Sequence, residues 1–337
     1  IPDSLDYLTE TEIESATLYL PIQRYALGDS GNPNALSFNI YKTGKAWTNL
    51  TTWDSLFAGG SSTSDYFDYN IVRGSFNGSI IQGDTMPEIK IPFDKKLIVE
   101  WFQEEAALKQ CTTKVDSAKH IIWGVSLIPD NSSTVLRTIS ALTAEGARPH
   151  SFILVYYKTK TGSRDSVMIT SAIDATVVNA TSLPPADRIV VQGGVSLRSL
   201  MTFNLSSLPN LAAVHSIVLE LTKDTDNSYS ANYGLDSTLY MVLKSDTGSA
   251  ALLKGSYYGY RNYSNKAKWI FNDITSAGEY WTRYQKKGYL ELMAEGLDNE
   301  YRQLDRLVFY GMNDPDINNR PKIKIIYSTR PNRNCNK

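Results

Sequence analysis

No run in the 337-residue chain approaches the ~20 consecutive apolar residues that a bilayer-spanning helix requires. The first residues, IPDSLDYL, have neither the basic n-region nor the apolar h-region of an export signal. An excess of charge is missing too. Lys and Arg number 34 against 35 Asp and Glu, so no global field holds nucleic acid or an anionic surface. Cysteine is limited to Cys111 and Cys335, the second in a polar tail. Two thiols make no disulfide framework, and pairing between them or separate thiols both stay open. The histidines His120, His150 and His215 have no metal-ligand spacing. A G-x-S-x-G elbow, a P-loop and a dinucleotide fingerprint are all absent. The neighbouring carboxylates Glu104 and Glu105 face different directions on a helix. No catalytic residue is assigned, and the chain reads as a non-enzyme.

What the chain does have is 21 tyrosines, frequent Thr, Val and Ile, and many short runs in which apolar and polar residues alternate. That is the composition of pleated, half-buried strands. Its length suits two domains. Self-similarity supports the same division. Ile1-Pro2-Asp3 followed by the alternating strand 13–20 resembles Leu208-Pro209-Asn210 followed by the strand 214–221. Each copy then has a helical segment around a Trp, LIVEWFQEEAAL with Trp101 and ITSAGEYWTRYQ with Trp281. A strand follows in each, 120–128 and 289–294, and an Arg-Pro pair introduces a last one, 152–157 and 323–327.

The expectation is an all-β fold of two tandem antiparallel β-sandwich, jelly-roll-like modules, each with one short helix. Residues 1–160 form the first, a polar linker spans 158–166, residues 168–329 form the second, and 330–337 are a polar tail. The second copy also has strands near 172–180, 188–192 and 198–205 ahead of its first landmark. The first copy therefore lacks about three initial strands in this sequence. A sandwich without them exposes unpaired edges. A cut precursor, a later starting point or a neighbouring subunit donating strands would each account for this.

Arg198 with Phe203-Asn204-Leu205-Ser206, Ala16-Thr17-Leu18-Tyr19-Leu20, Thr52-Trp53, Trp281 and Arg320-Pro321 are versions of phrases of the DNRLRE-type β-sandwich repeat, which the second copy resembles over residues 170–329. The two-copy arrangement also looks like an uncharacterised family of Bacteroidota surface lipoproteins. Both resemblances imply display at the cell surface or outside the cell, and the first implies polysaccharide binding for some of its modules. Six Asp-Ser/Thr tripeptides, at Ser4, Ser55, Thr85, Ser117, Ser166 and Ser237, resemble the O-glycosylation acceptor of Bacteroidota and mark candidate exposed loops.

The densest aromatic patch is Tyr257, Tyr258, Tyr260 and Tyr263, with Trp47 and Trp53 as a second group. Rings in such rows pack across strands, anchor a protein interface or stack on sugars. Asp224 with Asp226, and Asp314 with Asp316, have the oxygen donors that calcium needs, although ordinary Asx turns look the same. Calcium is the one cofactor left open. The expected function is structural, in a bacterial surface or extracellular assembly, with self-association or a partner chain completing the first module. The alternative is a polysaccharide-binding module.

Overall fold

Short alternating runs make strands, and here they make little else. Strands take 44% of the chain and helices 16% in a computed structural model, which settles an all-β fold of sandwich-like antiparallel sheets. The structure describes residues 5–28, 35–57, 62–79, 88–141, 150–179, 185–195, 197–231, 238–244, 252–262, 264–265, 267–283, 288–294 and 304–329. The chain divides into two compact units, Ile1–Val177 and Val178–Lys337, each with its own apolar core.

The first unit runs β1 (Ile13–Gly28), β2 (Ala35–Lys42), α1 (Trp53–Phe57), β3 (Gly74–Ser79), β4 (Glu88–Pro92), α2 (Lys95–Gln110), α3 (Lys114–Ser117), β5 (Val125–Pro129), β6 (Val135–Ile139), β7 (Phe152–Lys158) and β8 (Arg164–Thr170). One sheet has the order β4-β1-β7-β8, with β6 along the later part of β1, and a second has the order β3-β2-β5. Leu18, Leu20, Ile40, Ile91 and Val155 meet Leu97, Ile98, Trp101 and Phe102 of α2 in the core. Asp94 caps α2 by accepting from the Lys96 N–H, 2.9 Å away. The nearly buried Arg73 holds that cap from the other side.

The second unit runs β9 (Arg188–Gln192), β10 (Ser199–Met201), β11 (Ala213–Thr222), β12 (Thr238–Lys244), β13 (Leu252–Arg261), β14 (Lys268–Phe271), α4 (Thr275–Arg283), β15 (Tyr289–Ala294), β16 (Arg306–Tyr310) and β17 (Lys322–Ser328). Its main sheet has the order β10-β15-β12-β13-β14-β11-β17, and β16 pairs with β9.

The internal duplication is visible in the strand registers. β1 pairs antiparallel with β7, and β11 with β17; the register slips between Ile13 and Ser15 in one and between Val214 and Ser216 in the other, the same step of the repeat. Leu18 lies opposite Ile91 of β4, and Leu219 opposite Phe271 of β14. From there each unit enters its helix after the same number of residues. The buried helix positions then match one for one, Leu97, Ile98, Trp101 and Phe102 against Ala277, Gly278, Trp281 and Thr282. β2 lies between β3 and β5 as β12 lies between β13 and β15. Ile22 opposite Ile139 has its counterpart in the bridge between Lys223 and Phe309.

Several expectations change. Residues 158–166 are no linker: they turn β7 into β8, with Gly162 at a φ of 83° and Thr159 and Ser163 closing the loop. A linker and a hairpin turn share the same polar, Gly-containing composition, and only the pairing of β7 with β8 separates them. Among the described residues 171–179 there is no strand, so among the described residues of the second unit two strands, not three, precede β11. His120 ends a 3-10 turn instead of starting a strand, because its ring bonds Glu104 on α2 at 2.7 Å. Among its described residues the first unit carries three α-helices, not one short one. Residues 1–3 lie outside the described residues. The matching entry turn comes later, where the Leu8 N–H meets the Leu5 carbonyl as the Leu208 N–H meets that of Leu205, with all four leucines buried.

Candidate functional site

Strand β13 puts alternate residues on opposite faces of its sheet, and this splits the tyrosine patch. Tyr257 faces the core; its hydroxyl bonds Ser276 at 2.6 Å, and burial pushes its phenol above the usual range. Gly259 faces the same way, and a Cβ there would stand 2.3 Å from the Phe271 ring, so only glycine lets β14 lie this close. Tyr258 and Tyr260 point outward, 44% and 54% exposed. Tyr258 meets Tyr240 of β12 directly across the ladder, ring centroids 5.4 Å apart. Tyr263 lies outside the described residues. Tyr257 thus leaves the candidate surface and Tyr240 joins it; the alternation Leu239, Tyr240, Met241 carried that signal.

Trp47 and Trp53 belong to a long connection between β2 and β3 whose counterpart in the second unit is only residues 245–251. Trp47 donates its indole N–H to the Trp123 carbonyl at 2.7 Å, which makes it an anchor for the connection. Trp53 starts a row of ring contacts through Phe57, Tyr66, Phe67 and Tyr69 to Tyr41. Asp65, Tyr66, Phe67, Asp68, Tyr69 and Asn70 border a shallow concavity of about 450 Å³.

The two acidic loops do meet, but around an arginine. Arg188 of β9 donates to Asp224 at 3.0 Å and stands 3.8 Å from Asp314, with Tyr310 against its guanidinium. Both carboxylates are almost wholly buried. Arg188 thus holds the place between them. Asp226 is exposed, and Asp316 closes an Asx turn onto Asn318. Among the described residues no three carboxylate, histidine or cysteine groups converge as a metal site.

Burial raises the Asp224 pKa, but hydrogen bonds from Asn227 and Arg188 outweigh this and hold it below its ordinary value. This stabilisation is complete above the unfolded-state value of about 3.9 and is lost as pH falls through the folded one. Asp224→Asn is expected to lower stability by roughly 2 kcal/mol at pH 7 and to flatten the acid limb of second-unit unfolding below pH 4. Urea titrations at several pH values measure both.

No family model, curated protein or solved structure matches this chain. The site therefore rests on its own residues. Among the remaining candidates, Ser55 and Ser166 are exposed and Ser117 is half-buried, while Ser4, Thr85 and Ser237 lie outside the described residues. Cys111 is a free thiol closing α2 against the Ala107 carbonyl; Cys335 lies outside the described residues. His215 bonds Ser328 at 2.9 Å. Among the described residues no helix is long and apolar enough to cross a membrane.

Proposed function

We propose that this protein is a non-catalytic structural and interaction component of a bacterial cell surface or extracellular assembly. The observation that carries the reading is the outward row of Tyr240, Tyr258 and Tyr260 on adjacent strands of one sheet. Rings on a rigid sheet offer large contact area with little side-chain freedom to lose, which is the character of interface anchors. Outermost strands add to it: Met168 of β8 and Ile326 and Tyr327 of β17 are all exposed, and such edges pair readily with other chains. The surface location is supported by the resemblance and by the Asp-Ser/Thr tripeptides.

The double substitution Tyr258→Ser and Tyr260→Ser tests it. Both side chains point to solvent, so the fold is expected to keep its stability within about 0.5 kcal/mol. Self-association, measured by sedimentation velocity across a concentration series, is expected to weaken at least ~10-fold. Unchanged association overturns the reading. A second reading, polysaccharide binding, is favoured by the ring row between β2 and β3, where Asp65, Asp68 and Asn70 border the aromatic concavity. Retained self-association together with glycan-array binding that is lost on Tyr69→Ala would favour that alternative.

A further inference from the structure

The near balance of charge across the whole chain conceals a division. Asp and Glu outnumber Lys and Arg 20 to 15 in the first unit, whereas Lys and Arg outnumber Asp and Glu 19 to 15 in the second, net charges of −5 and +4. The tyrosine face shares the positive sign. Tyr260 lies opposite Ile270 of β14, Ile270 opposite Glu220 of β11, and Glu220 opposite Lys322 of β17. Ring and ammonium therefore stand in one row of the same sheet face, about 14 Å apart at the usual strand spacing. Glu220 is already neutralised by Lys268, at 2.9 Å. Lys322 and Lys324, which alternation puts on the same face, are exposed and have no ion pair among the described residues.

The connection between β2 and β3 has the opposite character. From residue 43 to residue 72 it holds Asp54, Asp65 and Asp68, all exposed, against the single cation Lys45. Asp65 and Asp68 border the aromatic concavity with Tyr69, and Tyr69, Ile71 and Val72 are 39%, 41% and 48% exposed. Lys45 stands 5.0 Å over the Tyr66 ring, so this surface already takes an ammonium on an aromatic face. Tyrosines with unpaired lysines on one unit, and aromatic and apolar side chains with carboxylates on the other, are complementary, and one chain carries both.

We infer that the tyrosine face of the second unit docks on the connection between β2 and β3 in the first unit of another copy. Tyr258 and Tyr260 supply the apolar contact with Tyr69, Ile71 and Val72, while Lys322 and Lys324 meet Asp65 and Asp68. The occupant is a second copy because both matching surfaces belong to this chain and its two units carry opposite net charge. The contact joins two different surfaces, so it repeats from copy to copy and ends only where a ring closes. Opposite charge steers the encounter and makes it sensitive to salt. The inference rests on the reading of the tyrosine row as an association surface, and adds what that surface meets.

Two variants divide the contact. Asp65→Asn with Asp68→Asn removes the charge on the first-unit side, while each side chain keeps an oxygen to accept from the Ser62 and Asn70 N–H groups. Lys322→Gln with Lys324→Gln removes the charge on the other side. Unfolding temperatures are expected to stay within about 2 °C of the parent. Self-association, read by sedimentation velocity, is expected to weaken ~10-fold in each variant, and in the parent when salt rises from ~0.05 M to ~0.5 M. Mixed in equal amounts, the variants still offer one unaltered pair of surfaces, the first unit of the lysine variant and the second unit of the aspartate variant. They are expected to form a one-to-one complex of near-parental affinity. Association indifferent to the aspartate substitutions, or a mixture no tighter than the variants alone, overturns the inference. A parent that stays monomeric and instead binds polygalacturonate through Lys322 and Lys324 also overturns it, and gives the face to an anionic glycan. If Tyr258→Ser with Tyr260→Ser weakens association and the aspartate variant does not, the tyrosine row stands and this inference alone fails; if neither does, both fail.

Discussion

Replacing Trp281 with alanine is expected to cost the second unit about 3–5 kcal/mol and to lower its unfolding temperature by roughly 10 °C, with the transition of the first unit unmoved. The reason lies in how little else holds α4. A helix this short has almost no stability of its own in water, and three of its four buried side chains, Ala277, Gly278 and Thr282, are small. Trp281 is the exception: 1% exposed, it packs 6.1 Å from the Phe203 ring, so it joins the helix to the segment between β10 and β11. Trp101→Ala is expected to act in the same way on the first unit, where Trp101 is 4% exposed and its ring lies 6.0 Å from that of Phe93. Calorimetry on each single variant checks this. Two transitions, each lowered by its own Trp substitution alone, are the expected result; one merged transition, or a loss under ~1 kcal/mol, contradicts it.

Those two tryptophans were also the most legible feature of the sequence. A Trp in a helical spacing between two alternating strands is a local pattern, and local patterns survive folding without knowledge of the partner. The strands 13–20 and 214–221 were legible for the same reason. What needed the third dimension was parity and pairing. Tyr257 and Tyr258 are neighbours of one type, and only the register of β13 against β12 and β14 decides which is core and which is surface. The turn before β8 looked like a linker because hydrogen bonding to β7 leaves no mark in composition. Asp224 and Asp314 looked like cation ligands because Arg188, which lies far from both in sequence, could not be seen between them. The entry turn at Leu5 and Leu8 is hidden behind the proline match, since buried leucines three positions apart carry no distinctive local signal.

The two units match in register at one helix–strand crossing but differ there in side-chain size. Where α4 crosses β11, Gly278 lies so close that an added Cβ would stand 2.5 Å from Cδ1 of Ile217 and 2.8 Å from Val214. Glycine inside a helix costs about 1 kcal/mol against alanine, and the close approach accounts for its presence. At the same two positions of the first unit the sizes are exchanged: Ile98 stands for Gly278 and Ala16 for Ile217, both buried. The pair conserves volume while neither member does. Gly278→Ile alone is therefore expected to destabilise the second unit by roughly 3 kcal/mol through overpacking, and Ile217→Ala alone by a similar ~3 kcal/mol through the cavity it leaves. Made together they install the arrangement of the first unit, and the loss is expected to fall to ~1–2 kcal/mol, well short of the sum. A double-mutant cycle by urea unfolding measures the coupling. Additivity within about 0.5 kcal/mol would show that the two helix–strand crossings are built differently, and that the matching registers do not extend to the packing of the core.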